Sequence, residues 1–185
     1  MPTLRAQFEA IALPFAKPLY NTARRLTHRP EDASDLVQET YLRAYRTFHN
    51  FVPGTNCKAW LFTVLYSVFV NKYRKQQREP ESVSIEELEE KFHHLLAAAE
   101  WEPHWTLNPQ EVGTEVDQAL KQLPEAFRLA VLLVDVEELS YEEAAAVLNC
   151  PVGTVRSRLF RARKLLFMEL QPYALKKGYA QKAKQ

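Results

Sequence analysis

Glycine is scarce in this sequence, and so is every pattern that indicates β-structure. Only four of the 185 residues are glycine, and no stretch alternates Val, Ile or Thr with polar residues. Tight β-hairpins favour glycine, and half-buried strands alternate apolar and polar side chains. The hydrophobic share of 46% is nevertheless ordinary for a protein with a packed core. We therefore predict an all-α fold.

Cysteine is almost absent as well. The two cysteines, Cys57 and Cys150, lie far apart and outside any CxxC spacing. This pattern argues against a disulfide framework and against the common zinc motifs, so each cysteine is interpreted as a small apolar filler. The histidines form no ligand pattern either; they are His28, His49, His93, His94 and His104. We expect no metal, no cofactor and a reducing compartment.

Long apolar runs are also missing. No run is long enough to span a membrane, and the first residues lack the basic-then-apolar pattern of a secretory signal. Both observations favour a cytoplasmic protein without membrane insertion.

Charge is balanced overall but unevenly distributed. The net charge is +1, yet residues 1–78 carry 12 Lys and Arg against 5 Asp and Glu, and residues 151–185 carry 9 against 1. Residues 79–125 between them carry 2 against 12. Basic segments attract phosphate backbones and acidic ones repel them. Two basic surfaces joined by an acidic linker could hold one nucleic acid at two places.

Residues 140–166 have the pattern of two short helices joined by a tight turn. Ser140 and Glu143 form a capping-box pattern, Asn149 tolerates a left-handed turn, and Pro151 suits the first turn of a new helix. An apolar stripe follows at helical spacing: Val152, Val155, Leu159, Ala162 and Leu166. The opposite side carries Thr154, Ser157, Arg158 and Arg161, with Arg156 and Arg163 on its flanks. This pattern predicts a reader of the DNA major groove, and the alternative is a helical hairpin with a solvated basic face.

Residues 30–48 predict a helix whose outward face carries Asp35, Gln38 and Glu39. A solvated face is the usual meaning of such residues, and a partner surface is the alternative. The loop at 49–58 places Phe51, Asn56 and Lys58 next to Trp60. Its aromatic side chains suit either stacking on an unpaired base or burial in the core.

Residues 59–78 predict a long helix that is apolar at its start and basic at its end. The apolar part indicates burial at the centre of a helical domain. The end carries Asn71, Lys72, Tyr73 and Arg74 and then more cations. Contact with a DNA backbone accounts for the cluster of cations better than complementing the helix dipole does.

Four motifs in order resemble those of bacterial RNA polymerase sigma factors of the extracytoplasmic-function group. They are DASDLVQETYLRAYRTF at 32–48, FVPGTNCKAWLFTVLYSVFVNKYRKQQREP at 51–80, LPEAFRLAVLLVDVEELSYEEAAAVL at 123–148 and CPVGTVRSRLFRARKLL at 150–166. The run FVNKYRKQQREP is similar to that of the oxidative-stress subgroup, whose anti-sigma partners are often small zinc-binding proteins. The resemblance therefore implies a stress-response transcription factor with an anti-sigma factor as its partner.

The resemblance implies a division of the chain into two small helical domains. Sigma region two would span 5–78, an acidic linker 79–111, sigma region four with its helix-turn-helix 112–170, and a basic tail 171–185. Core RNA polymerase would be bound through its β′ coiled coil and β flap. The implied core-binding residues are Asp35, Leu36, Gln38, Glu39 and Thr40. The implied −10 DNA-binding residues are Phe48, Phe51, Asn56, Lys58, Trp60, Asn71, Lys72, Tyr73 and Arg74. The implied −35 DNA-binding residues are Thr154, Arg156, Ser157, Arg158 and Arg161.

The resemblance thus predicts a non-enzymatic factor that binds core polymerase, recognises two promoter elements and promotes initiation. Two alternatives stay open at this point. A helix-turn-helix regulator acting without polymerase would dimerise on a palindromic site, but the sequence shows no dimerisation heptads. A DNA-processing enzyme would need a nucleophile or metal-binding carboxylates. The only close N-terminal acids, Asp32, Asp35 and Glu39, fit helix capping and docking better.

Overall fold

The structure is a computed structural model that describes residues 3–27, 29–74 and 113–177. Within those ranges every regular element is helical, which confirms the predicted all-α fold. The predicted acidic linker at 79–111 lies outside the described residues, as do positions 75–78 of the predicted long helix and the end of the basic tail.

The chain divides into two compact units. The first unit comprises residues 1–79 and 139–152, and the second unit comprises residues 80–138 and 153–185. This division differs from the predicted boundaries, which placed all of 112–170 in one domain. The physical reason is that a helix within 139–152 packs against a helix of the first 79 residues.

The first unit begins with four helices. They are α1 (Leu4–Ala12), α2 (Ala16–Leu26), α3 (Pro30–Arg46) and α4 (Cys57–Phe69). Pro14 lies in a short 3-10 turn, Leu13–Phe15, which separates α1 from α2 as the prolines predict. This turn also shifts the helical phase, because 3-10 helices have three residues per turn. Ile11 and Tyr20 are exposed, and Thr22 is buried.

Helix α4 is the centre of the first unit. Leu61, Phe62, Leu65, Val68 and Phe69 are buried, and α3 packs along the helix. It begins two residues earlier than predicted, because the Asn56 side chain accepts a hydrogen bond from the Ala59 N–H and so caps the helix at Cys57. After Phe69 the chain continues as a π-helical turn, Val70–Arg74.

The second unit contains α5 (Thr114–Gln122), α6 (Glu125–Val131) and a π-helical turn, Leu132–Val136. Pro124 separates α5 from α6 and immediately precedes the first residue of α6. The core of this unit includes side chains that are fully buried: Leu120, Leu132, Leu133, Leu159 and Leu166.

The last two helices are α7 (Tyr141–Leu148) and α8 (Val152–Lys177). Helix α7 belongs to the first unit, and all of α8 after Val152 belongs to the second. Helix α8 extends through residues 171–177, which were predicted to start a tail, and it contains Pro172.

Candidate functional site

The turn before α8 has the geometry that the sequence predicts. The Ser140 side chain accepts a hydrogen bond from the Glu143 N–H (3.1 Å), and the Glu143 carboxylate accepts one from the Ser140 N–H (2.8 Å). Asn149 is left-handed, with φ 49° and ψ 51°. The Cys150 N–H donates to the Ala145 carbonyl (3.1 Å), which is a Schellman-type helix end. The predicted capping box and turn are therefore confirmed.

Helix α8 has the predicted buried stripe and polar face. Val155, Leu159, Ala162 and Leu166 are buried, whereas Val152 is half-buried. Among the predicted −35 residues, Arg156 and Ser157 are exposed, and Thr154, Arg158 and Arg161 are half-buried. The stripe anchors the helix and leaves cationic and hydroxyl side chains at the surface. Such a face matches the needs of a major-groove reader.

Phe160 is a residue on this face that sequence reasoning missed. Its side chain is 51% exposed, although aromatic residues are usually buried. It follows Arg156 by four positions and Ser157 by three, so the three residues share one face of α8. Helical periodicity in the sequence carries this signal, whereas polar character, the usual sign of a DNA-facing residue, does not. Phe can make apolar contact with a thymine methyl group in the major groove.

Arg163, predicted on a flank of this face, forms an ion pair with Asp135 of the second unit. Its Nε donates to Asp135 Oδ2 (3.1 Å), and its second guanidinium nitrogen donates to Asp135 Oδ1 (2.5 Å). The Asp135 side chain is only 6% exposed. Arg163 therefore holds α8 to the turn that follows α6, and the DNA-facing set loses one cation.

Three of the five predicted core-binding residues lie on the outward face of α3. Asp35 and Gln38 are exposed, and Glu39 is half-buried. Leu36 and Thr40 are fully buried, and the Thr40 hydroxyl donates to the Leu36 carbonyl (2.7 Å). These two residues lie in the core of the first unit and are not available for direct contact with a partner.

Glu39 is surrounded by positive charge. Its carboxylate accepts a hydrogen bond from Arg43 Nε (2.7 Å), one helical turn later. This bond is the main reason that the pKa of Glu39 lies below its usual range, and the charges of Lys72 and Arg46 lower the pKa further. Leu42, one turn after Gln38, is 54% exposed on the same helix. The face thus offers an anionic and amide surface with an apolar side chain.

Aromatic side chains cluster at the start of the loop before α4. Phe48 and Phe51 are stacked, with centroids 5.7 Å apart and an interplanar angle of 8°. Both are buried, at 7% and 9% exposure, and both contact Trp60. Phe8 of α1 packs edge-on against Phe48 at 5.2 Å. Of the two interpretations left open by the sequence, burial in the core describes Phe48 and Phe51, whereas Trp60 is half-buried.

The rest of the loop is at the surface. Val52 is 62% exposed, and Gly54 has φ 90°, a left-handed value that favours glycine in the Pro53-Gly54 turn. Asn56 is exposed, but both ends of its carboxamide are bonded. Its oxygen caps α4, and its nitrogen donates to Glu143 Oε1 of α7 (2.7 Å). Lys58 is half-buried.

The predicted −10 residues after α4 lie on the π-helical turn. Asn71 and Lys72 are exposed there. For Tyr73 and Arg74 the structure describes the backbone, and their side chains lie outside the described residues. Single π-helical turns within helices are frequent at functional sites.

Both cysteines lie in the described ranges, and neither forms a disulfide there. Cys57 is buried, and burial raises the pKa of its thiol, which disfavours the reactive thiolate. In residues 3–27, 29–74 and 113–177, no three side chains of His, Cys, Asp or Glu come together as a metal site would require. None of the described helices is long and apolar enough to cross a membrane.

Comparison with known proteins decides the family. A model of sigma-70 region 2 matches residues 13–79, and a model of sigma-70 region 4 matches residues 114–166. The RNA polymerase sigma-H factor of Pseudomonas aeruginosa is 33% identical over 168 residues, which are 89% of this chain and 86% of that protein. The extracytoplasmic-function sigma factor EcfG of Rhodopseudomonas palustris is 40% identical, over 76% of this chain and 72% of its own length. The chain belongs to the extracytoplasmic-function sigma factors.

Solved structures agree with this family. The sigma factor RpoE from Bartonella quintana, in complex with the anti-sigma factor NepR, superposes with a TM-score of 0.66 at 29% identity. The match covers 89% of this chain and 97% of that one. CnrH in complex with the cytosolic domain of CnrY gives a TM-score of 0.62 at 25% identity, over 92% and 90% of the two chains.

The function predicted from the resemblance is confirmed by these matches. The protein is a polymerase-binding sigma factor for promoter recognition and transcription initiation, and its family consists of non-catalytic initiation factors. A regulator acting without polymerase and a DNA-processing enzyme are accordingly set aside.

Proposed function

We propose that the sigma factor reads the −35 element with the polar face of α8. The observation that carries this assignment is the exposure of Arg156 and Ser157 above a buried apolar stripe. Arg156, Arg158 and Arg161 supply donors for guanine edges or phosphates, and Thr154 and Ser157 supply hydroxyl groups. Phe160 joins this set as an apolar contact for a thymine methyl group. Arg163 is left out, because it is paired with Asp135.

The −10 element falls to the loop before α4 and to the turn after it. Trp60 is half-buried and can offer part of its ring to an unpaired base, while Phe48 and Phe51 support that ring from the core. Asn56 and Lys58 stand beside it with an amide and a cation. Asn71 and Lys72 are exposed for contact with the same strand, and Tyr73 and Arg74 complete the proposed set by sequence. Binding unpaired bases shifts the duplex toward the open state without covalent chemistry.

The outward face of α3 is the proposed docking surface for the β′ coiled coil of core polymerase. Asp35, Gln38 and Glu39 provide acids and an amide, and exposed Leu42 adds apolar area. An apolar centre with a polar rim is the usual composition of such an interface. Helices of region four would meet the β flap. These two contacts with one polymerase would strengthen each other, because binding at one of them raises the effective concentration for binding at the other.

An anti-sigma protein is the proposed regulator. The RpoE structure described above is a sigma factor bound to an anti-sigma factor, and the match covers 89% of this chain. The run FVNKYRKQQREP at 69–80 supports the oxidative-stress subgroup and hence a small zinc-binding partner. Without its regulator, the protein would act in the cytoplasm on promoters of a stress response.

Run-off transcription with purified core polymerase tests the α3 assignment. Glu39→Lys should weaken core binding about tenfold or more and reduce promoter-specific transcript in proportion, because it reverses a charge in the proposed interface. Glu9→Lys on α1 is the matched control. It makes the same charge reversal and breaks a similar exposed pair, Arg5–Glu9 at 2.7 Å, on another helix. Equal core affinity for Glu39→Lys and Glu9→Lys would contradict the docking surface.

A further inference from the structure

Helix α7 packs against α4, although it belongs by sequence to the region that carries the −35 reader. Its inward face is built from small side chains, with Ala144 fully buried and Ala145 6% exposed. Small residues let two helices approach closely. Val147 and Leu148 complete the buried face of α7.

A single carboxylate joins the beginnings of these two helices. Glu143 Oε2 accepts the Ser140 N–H at 2.8 Å, which is the capping box of α7. Glu143 Oε1 accepts Asn56 Nδ2 at 2.7 Å, across 87 positions of sequence. Capping requires only the first of these bonds. The second one gives α7 a direct hold on the loop that precedes α4.

The bonded side chain is one of the proposed −10 contacts. The Asn56 oxygen is committed to the Ala59 N–H at the start of α4, so its nitrogen is the group left to recognise an acceptor on a base. In this structure Glu143 occupies that nitrogen. The bond from Asn56 and the bond from the Ser140 N–H both keep the pKa of Glu143 below its usual range, with the Ser140 bond contributing more. The carboxylate is thus charged at neutral pH and repels a phosphate backbone.

We propose that the Asn56–Glu143 hydrogen bond is an autoinhibitory contact, in which Glu143 takes the place of a base acceptor and keeps the −10 loop from binding single-stranded DNA. The proposal rests on the −10 role of Asn56 given above. With α7 packed on α4 and this bond made, the protein is in a closed state. In the open state, the Asn56 side-chain nitrogen no longer donates to the Glu143 carboxylate and can donate to a base instead. The apparent affinity for the −10 strand is then the intrinsic affinity reduced by the fraction of open molecules.

Glu143→Gln separates the contact from the helix cap. Glutamine is accepted at this position of a capping box, so α7 should stay folded. Its amide keeps one acceptor oxygen and replaces the other with an NH2 donor, so Ser140 N–H and Asn56 Nδ2 can no longer each bond to an oxygen of their own. The control is Glu142→Gln, which removes the same charge from the same turn at an exposed acid.

The test uses two readouts on the full chain. The first is the distance between nitroxide labels on α4 and α7, at Thr63→Cys and Ala146→Cys, with Cys57 and Cys150 replaced by Ala; Thr63 and Ala146 are both exposed. The second is affinity for a single-stranded oligonucleotide that carries the −10 sequence of a promoter transcribed by this sigma factor. Glu143→Gln should lengthen and broaden the label distances and raise the affinity about threefold to tenfold. Glu142→Gln should match the wild type in both.

The outcomes distinguish this inference from the proposed −10 role. Unchanged distances and affinity in Glu143→Gln, with normal strand binding, overturn the inhibitory contact and leave the −10 role of Asn56 standing. An equal gain of strand affinity in Glu142→Gln also overturns the inhibitory contact, since loss of one negative charge from this turn would then explain the gain without the Asn56 hydrogen bond. Longer distances without strand binding by any variant overturn the proposed −10 role, and the inhibitory function with it.

Discussion

The aromatic loop of the first unit and the polar face of α8 place their candidate residues in opposite environments. In the loop, Phe48 and Phe51 are buried in the packing that joins α1 to α4. On α8, Arg156, Ser157 and Phe160 are exposed, and a separate stripe provides the packing. Site and core therefore overlap in the first unit and are separated in the second. Substitutions of the two loop phenylalanines should affect stability and binding together, whereas those of the three exposed residues on α8 should affect binding alone.

The largest expected effect comes from the two phenylalanines. Phe48→Ala should destabilise the first unit by about 3–5 kcal/mol, because it removes a buried ring and leaves a cavity among Phe8, Phe51 and Trp60. Phe160→Ala should change stability by no more than about 0.5 kcal/mol, since its ring is exposed. It should weaken −35 binding instead.

Native-state hydrogen exchange measures both variants, because it reports each unit separately. The readout for Phe48→Ala is exchange of the α4 amides, and that for Phe160→Ala is exchange of the α8 amides together with duplex DNA affinity. Similar losses of stability in the two variants would contradict the conclusion that candidate binding residues belong to the core in the first unit but not in the second.

A smaller effect tests whether all arginines of α8 serve DNA. Arg163→Ala leaves the carboxylate of Asp135 buried without its guanidinium partner and should destabilise the second unit by about 2–3 kcal/mol. Arg156→Ala should leave stability within about 0.5 kcal/mol of wild type and weaken −35 binding. If Arg156 contacts a phosphate, the slope of log affinity against log salt should also fall by about 1. Salt titrations of duplex binding and exchange of the α8 amides provide the measurements.

One result would contradict the different roles assigned to Arg163 and Arg156. Were Arg163→Ala to weaken DNA binding at full stability, the pairing with Asp135 would be dispensable, and Arg163 would return to the reading face. The sequence alone could not separate the two arginines, because both lie within the basic half of α8 and Asp135 is 28 positions away.

Local features of the fold were predictable because their signals are local. The capping box at Ser140, the left-handed Asn149 and the buried stripe of α8 each depend on residues within one or two helical turns. The burial of Phe51 was not predictable in this way, since an aromatic residue in a loop can either pack in the core or lie at the surface. The bond between Asn56 and Glu143 depends on how α7 packs on α4, which no periodicity encodes. The position of Phe160 on the polar face of α8 was predictable, because it lies four positions after Arg156 and three after Ser157.

The smallest expected effect concerns Tyr41, which connects the aromatic region to the C-terminal end of α1. Its hydroxyl donates to the Ala12 carbonyl at 3.0 Å, and its ring meets Phe8 edge-on at 6.2 Å. Burial, with a smaller contribution from Cys57, raises the pKa of Tyr41 to about 12. The unfolded value is about 10, so folding favours the neutral phenol. That stabilisation is complete below pH 10 and is lost as the pH rises from about 10 to about 12.

Tyr41→Phe should therefore destabilise the first unit by about 1 kcal/mol at neutral pH, through loss of the hydrogen bond. The difference from wild type should shrink between pH 10 and 12, because the wild type alone loses stability by ionising this phenol. Urea unfolding at fixed pH values measures the difference, and Tyr20→Phe makes the same change at an exposed phenol on α2 as the control. A constant difference across this range would show that the phenol is not held neutral by the fold. The aromatic region would then be more accessible to solvent than the buried stripe of α8.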